Sequence, residues 1–194
     1  MTEEPKIQVA SEGHGPLWQR DYRAQVAGNA QNPQDIIALL RTQFPTFSPE
    51  ELAAFTHEGS TPLAVGDEMK VVIKGYGECA VRVVHLDAQS FTLRTMEGHF
   101  EAGRITFGAY YENENLMLRI HSRARSAGRL RHIGYKMLGQ KLQEQTWRIF
   151  LERVVEEIGG KLIGEVEVLT EEIKSTLADL GELDTPTFIA KNRP

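Results

Sequence analysis

Across residues 65–126 the chain alternates apolar and polar residues five times over, with only short polar connections between the runs. A period of two is that of a strand, whose successive side chains face opposite sides of a sheet. Met69, Val71 and Ile73 oppose Lys70 and Lys74; Val81 and Val83 oppose Ala80 and Arg82; Phe91 and Leu93 oppose Thr92 and Arg94. Beyond a glycine-flanked connection at 98–103, Ile105, Phe107, Ala109 and Tyr111 oppose Arg104, Thr106 and Gly108. Beyond Asn113-Glu114-Asn115, Leu118 and Ile120 oppose Arg119 and His121. Links this short predict an antiparallel meander with one face covered, an α+β fold.

The covering element is predicted at 128–158. Ile133, Met137, Leu142, Ile149 and Val154 lie along one helical stripe, and Trp147, Leu151, Val155 and Ile158 widen it. At ~1.5 Å per residue such a helix is ~45 Å long, enough to run the length of a sheet. Gly159-Gly160 ends it. Ahead of the meander, residues 17–27 read as a strand, with Trp18, Tyr22, Ala24 and Val26 on one parity and Gln19, Asp21, Arg23 and Gln25 on the other. Two short helices are predicted next. Asn32 caps the first, with Pro33 in its first turn and Ile36, Ile37, Leu39, Leu40 and Phe44 as its apolar stripe. Pro45 interrupts it, and Ser48-Pro49-Glu50-Glu51 has the capping-box pattern of a second, with Leu52 and Phe55 inward. After the long helix, 162–169 suggests a strand, and Thr170-Glu171-Glu172 opens a short helix with Ile173, Leu177 and Leu180, closed by Gly181. The domain reading is a mobile leader at 1–15, one domain at 16–160, and a strand, helix and tail at 161–194 packed on that domain.

With 194 residues, 41% apolar and 25% charged, the chain suits one packed domain rather than a disordered or fibrous one. No apolar run approaches the ~20 residues needed to cross a bilayer, and Met-Thr-Glu-Glu-Pro is not a secretory start, so a cytoplasmic location is expected. The single cysteine, Cys79, falls in a predicted strand and reads as a small buried apolar residue rather than a nucleophile. Net charge is −5, yet no acid occurs across 116–143, where Arg119, Arg123, Arg125, Arg129, Arg131, Lys136 and Lys141 fall. An acidic molecule with a basic middle is poorly suited to nonspecific nucleic-acid binding, and no aromatic-interleaved RNA platform is present.

The order strand, two short helices, antiparallel meander and long C-terminal helix resembles the helix-grip fold of the START and Bet v 1-like (SRPBCC) superfamily, a curved sheet wrapped around its last long helix. The resemblance implies a cavity between sheet and helix. A sharper similarity lies in Val65-Gly66-Asp67, then Thr95-Met96-Glu97-Gly98-His99-Phe100-Glu101-Ala102-Gly103, then Ile120-His121-Ser122-Arg123-Ala124. These segments resemble a family of bacterial and plant proteins of unknown function, marked by Gly-His-Pro-Glu-x-Gly between two strands and a Ser-Arg pair ending a later one. Phe100 stands where that family has proline, so the turn would lack proline's rigidity. The resemblance raises Glu101 and Arg123 as partners and brings no activity with it.

Among chemical constellations, His99 and Glu101 sit two apart in a glycine-flanked connection, a spacing that suits acid/base work or a simple turn whose carboxylate pairs with a nearby arginine. There is no paired-His metal motif, no phosphate loop and no nucleophile elbow; Gly75-x-Gly77 runs into a strand. No cofactor and no metal are indicated, and His85, His121 and His132 are scattered singly. Arg119, His121, Arg123 and Arg125 share one strand face, expected to be solvated. Trp18, Tyr22, Phe91, Phe107, Tyr111 and Trp147 pack a core or line a cavity. The leading expectation is a noncatalytic module binding a small, mostly apolar molecule, with Tyr22, Phe107, Tyr111, Arg123 and Trp147 at the ligand. One alternative is an enzyme in the same cavity using His99 and Glu101, with Arg123 steadying negative charge. Another is an interaction protein using the basic strand face, and a homo-oligomer stays open.

Overall fold

In the computed structural model, residues 6–28, 31–59, 61–128 and 132–174 are described, the side chains of 132–138 excepted. The predicted alternations become β1 (His14–Ala27), the meander β3 (Glu68–Ile73), β4 (Gly77–Leu86), β5 (Ser90–Thr95), β6 (Glu101–Glu112) and β7 (Asn115–Ser126), and β8 (Lys161–Ile173); one further strand, β2 (Ala53–Thr56), precedes the meander. Helix α1 (Pro33–Phe47) follows β1, and α2 (His132–Glu157) follows the meander. The eight strands form one antiparallel sheet in the order β2-β3-β4-β5-β6-β7-β1-β8. The β6–β7 hairpin turns at Asn113 and Glu114, both with positive φ, the conformation that matches the twist of its flanking strands.

The pleat sorts side chains as the sequence implied. Tyr22, Val71, Val83, Leu93, Phe107 and Ile120 are buried on one face, where α2 adds Trp147, Phe150, Leu151, Val154 and Val155, and Ile158 follows just past its end. Phe150 meets Phe107 at 5.4 Å between ring centroids and Phe44 of α1 at 5.1 Å, so both helices close on the same aromatic cluster. Gly159 ends α2 with φ +67°, and the Gly159 and Gly160 amides donate to Glu156 and Val155 carbonyls at 2.9 Å each, a Schellman turn. The Arg148 guanidinium on α2 donates to the Val166 carbonyl of β8, and Arg153 to that of Ser48 at 2.8 Å.

Three expectations change. The second short helix is a single turn followed by β2: the Leu52 and Ala53 amides both donate to Pro49 O at 2.9 Å, and the Ser48 hydroxyl donates to Ala53 O instead of capping a helix. Leu52 and Phe55 are nonetheless buried. In α1, Pro45 has no amide to offer the Arg41 carbonyl, and the Leu63 amide takes that place at 2.9 Å, with a kink at Gln43. Residues 170–173, expected to open a helix, continue β8, with Thr170 opposite Arg20 and Ile173 opposite Leu17; Leu177, Leu180, Gly181 and the expected tail lie outside the described residues. Residues 6–13 are attached to the sheet. Ile7 bridges Met96, and the Gln8 amide donates to Thr95 O at 2.8 Å. Ala10, in a short 3-10 turn, packs with Leu17 and Ile173. Among the described residues no helix is long and apolar enough to cross a membrane.

Candidate functional site

The β5–β6 connection is built to hold two side chains still. Gly98 takes φ +93°, which a side chain would strain, and the chain reverses so that the His99 amide donates to Met96 O at 3.0 Å. Outside it, the Gln8 side-chain amide donates to the carbonyls of His99 (3.1 Å) and Glu101 (2.8 Å). Phe100, in the proline position of the resembled motif, stacks on His99 at 4.5 Å and on Tyr76 at 4.4 Å. Stacking thus supplies the stiffness proline would have given. Tyr76 sits at the tip of the β3–β4 turn between Gly75 and Gly77, both with positive φ.

The Glu101 amide donates to His99 Nδ1 at 3.0 Å. An amide can only donate, so Nδ1 is the acceptor and the ring proton sits on Nε2. Burial pushes His99 down to about 4, only partly opposed by the Glu101 charge and backbone, so the imidazole is neutral near pH 7. Glu101 opens β6 on the inward parity. One carboxylate oxygen lies 3.5 Å from Arg20 Nη1 on β1, and the other accepts from Gln143 Nε2 on α2 at 2.6 Å. Both charges are buried, Arg20 at 2% and Glu101 at 7% exposure.

His99 and Glu101 form the polar end of a cavity of about 80 Å³ between sheet and α2. Its apolar wall includes Phe55, Val71, Val81 and Leu93, and its helix side presents Gly139, Gln143, Thr146 and Trp147. Those four fall at i, i+4, i+7 and i+8, one face of the helix. Ser122 and Ala124 of β7 complete the floor.

The sequence-derived candidates divide. His99, Glu101 and Trp147 line this cavity. Tyr22 and Phe107 are packed in the aromatic core instead, and burial pushes the Tyr22 hydroxyl well above its ordinary value. Tyr111, opposite Leu116 near the hairpin end, is exposed. Arg123 is on the other face of the sheet, where its Nε donates to Gln19 Oε1 at 2.7 Å. The cation that meets Glu101 is therefore Arg20. Its signal was in the sequence: an arginine within the inward parity of Trp18, Tyr22, Ala24 and Val26. Gln143 gave a similar one, a polar residue one turn before Trp147 on an inward face.

The outer face of β7 is not the solvated surface expected. Arg119 and His121 are buried, because register places Asp21 of β1 directly opposite His121. Asp21 accepts from Arg119 Nε and lies 3.2 Å from His121 Nδ1. Burial alone would raise the Asp21 carboxyl, but the His121 and Arg119 hydrogen bonds hold it well below the usual carboxylate range. Gly13 crosses this face against Ala102 and Arg125. Burial likewise pushes the Cys79 thiol up to about 12, away from nucleophilic use. His85 lies 3.2 Å from Asp87. Among the described residues no group of three or more His, Cys, Asp or Glu could hold a metal.

No protein-family model matches this chain, and no curated protein does. Solved structures do match in fold. The KanY protein superposes with a TM-score of 0.55 at 11% identity over 76% of this chain and 100% of its own. Norcoclaurine synthase from Thalictrum flavum, in complex with dopamine and hydroxybenzaldehyde, gives 0.54 at 10% identity over 73% and 86%. The di-domain ARO/CYC StfQ from the steffimycin biosynthetic pathway gives 0.50 at 12% identity over 74% and 52%. At these identities the likeness is one of fold alone, a large antiparallel sheet with two helices.

Proposed function

We propose that this protein is a noncatalytic binding module that holds a small, mostly apolar molecule between its sheet and α2. The observation that supports it best is the cavity itself: an aromatic and aliphatic wall with a few polar groups gathered at one end, the composition of a ligand site rather than of a solid core. Its volume of about 80 Å³ has room for on the order of six water-sized units, hence for one ring with a short substituent. A solved structure of the same fold holds dopamine and hydroxybenzaldehyde, each built on one ring. Acid/base chemistry has less support in the same site. Glu101 is engaged by Arg20 and Gln143, and His99 is neutral and tied to the Glu101 backbone.

Native mass spectrometry of the purified protein, followed by a titration with single-ring compounds read by amide chemical shifts, tests the reading. The expected result is a copurified small molecule, or saturable shifts at Leu93, Ser122 and Trp147. A bare mass with no saturable shift from any ring-sized compound would overturn it.

A further inference from the structure

Among the described residues, the one carboxylate that lines this cavity, Glu101, already has a cation beside it. Arg20, buried and not itself part of the lining, faces Glu101 at 3.5 Å, and Gln143 adds a neutral amide to the carboxylate. His99 adds no charge, since its Nδ1 accepts from a backbone amide. Arg104 borders the cavity, but it alternates with the inward Ile105 and stands in register between Arg94 and Arg123 on the outer parity. Among the described residues the other polar groups of the lining are uncharged: Tyr76, Thr95, Ser122 and Thr146.

From this arrangement, and resting on the binding role proposed above, we infer that the ligand is an uncharged single-ring molecule bearing a hydroxyl or similar neutral polar group, recognised at the Glu101–Gln143 end. A cation entering the site would have to compete with Arg20 for Glu101, and an anion would face that carboxylate. Each would leave one of two buried charges, Arg20 or Glu101, without its present partner, which is strongly unfavourable. A neutral hydroxyl can share the Glu101 and Gln143 oxygens without breaking the pair.

Three probes of one skeleton separate the cases: benzyl alcohol, benzylamine and benzoate, titrated at pH 7 against the full chain by amide chemical shifts. The alcohol is expected to bind at least about tenfold tighter than either ion. Glu101→Gln leaves Arg20 facing an amide and should tighten benzoate at least about tenfold relative to the unaltered chain. Should that variant not fold, the Arg20→Met, Glu101→Gln double variant keeps a neutral wall, and its preference for the alcohol should persist. Either ion binding the unaltered chain as tightly as the alcohol overturns the inference while leaving the binding role intact. Saturation by none of the three overturns both.

Discussion

Replacing Arg20 by methionine removes one half of a buried ion pair while keeping most of the side chain's apolar bulk. At 3.5 Å the two charges attract by about 5 kcal/mol at an effective dielectric constant of ~20. Desolvation of the two ions offsets most of that in the native chain, but once Arg20 is gone the Glu101 carboxylate keeps its desolvation without its cation. The expected cost is therefore about 3–5 kcal/mol, or a fall in Tm of roughly 6–20 °C for a chain of this size. Glu101→Gln should cost a similar amount through the stranded guanidinium. The double variant, a neutral pair of similar volume, should cost less than the sum of the single changes by about 2–3 kcal/mol. Urea unfolding followed by Trp147 fluorescence measures all four corners of the cycle. If the two single costs add within ~0.5 kcal/mol in the double variant, the two side chains do not interact and the polar end of the cavity is assigned wrongly.

Two further perturbations check the site's surroundings. His99 is held neutral by burial, with its folded value down at about 4; its contribution is therefore complete above the ordinary ~6.5 and lost as pH falls toward 4, about 3 kcal/mol in all. Denaturation midpoints at pH 7 and pH 4.5 should show a smaller drop for His99→Gln than for the unaltered chain, and equal drops would contradict the assigned protonation. Gly103→Ala places a methyl 2.2 Å from the Arg123 carbonyl oxygen and 2.7 Å from Ala124 Cα, both β7 backbone. It should cost about 3 kcal/mol by parting β6 from β7, and an unchanged thermal midpoint would show that the strands are not so close.

The architecture was legible because alternation and helical spacing are local signals and agree with one another along the chain. The inward parity of Val71, Val83, Leu93, Phe107 and Ile120 meets Trp147, Leu151, Val154, Val155 and Ile158 as predicted, whereas Leu142 and Ile149 of the expected stripe are only half-buried, Phe150 takes the inner place, and the side chains of Ile133 and Met137 lie outside the described residues. The site was only half legible. His99 and Glu101 are two residues apart, so their neighbourhood is visible in the sequence, whereas Arg20 lies 81 positions away and joins them through the β6–β7–β1 strand order. Sequence periodicity assigns a face but not a neighbour. Arg123 was favoured because a motif contained it, yet the pleat puts it on the opposite side from Glu101. Arg119 and His121 looked solvated for a related reason: nothing in β7 itself announces that Asp21 will stand across from them. The second short helix failed differently, its capping-box residues being used at Ser48 to brace the start of β2.

The attachment of residues 6–8 to the strand opposite the helix reaches beyond local order. One glutamine amide spans two carbonyls of the connection that carries the imidazole and the carboxylate, and the Glu97 amide bonds back to Lys6 O at 2.8 Å. The opening stretch of the polypeptide acts as a splint on the outside of the pocket's rim. Proteolytic nicking ahead of Trp18 would remove that brace without touching a single lining residue, so a loss of ligand after such trimming would point to a softened rim, not a missing contact.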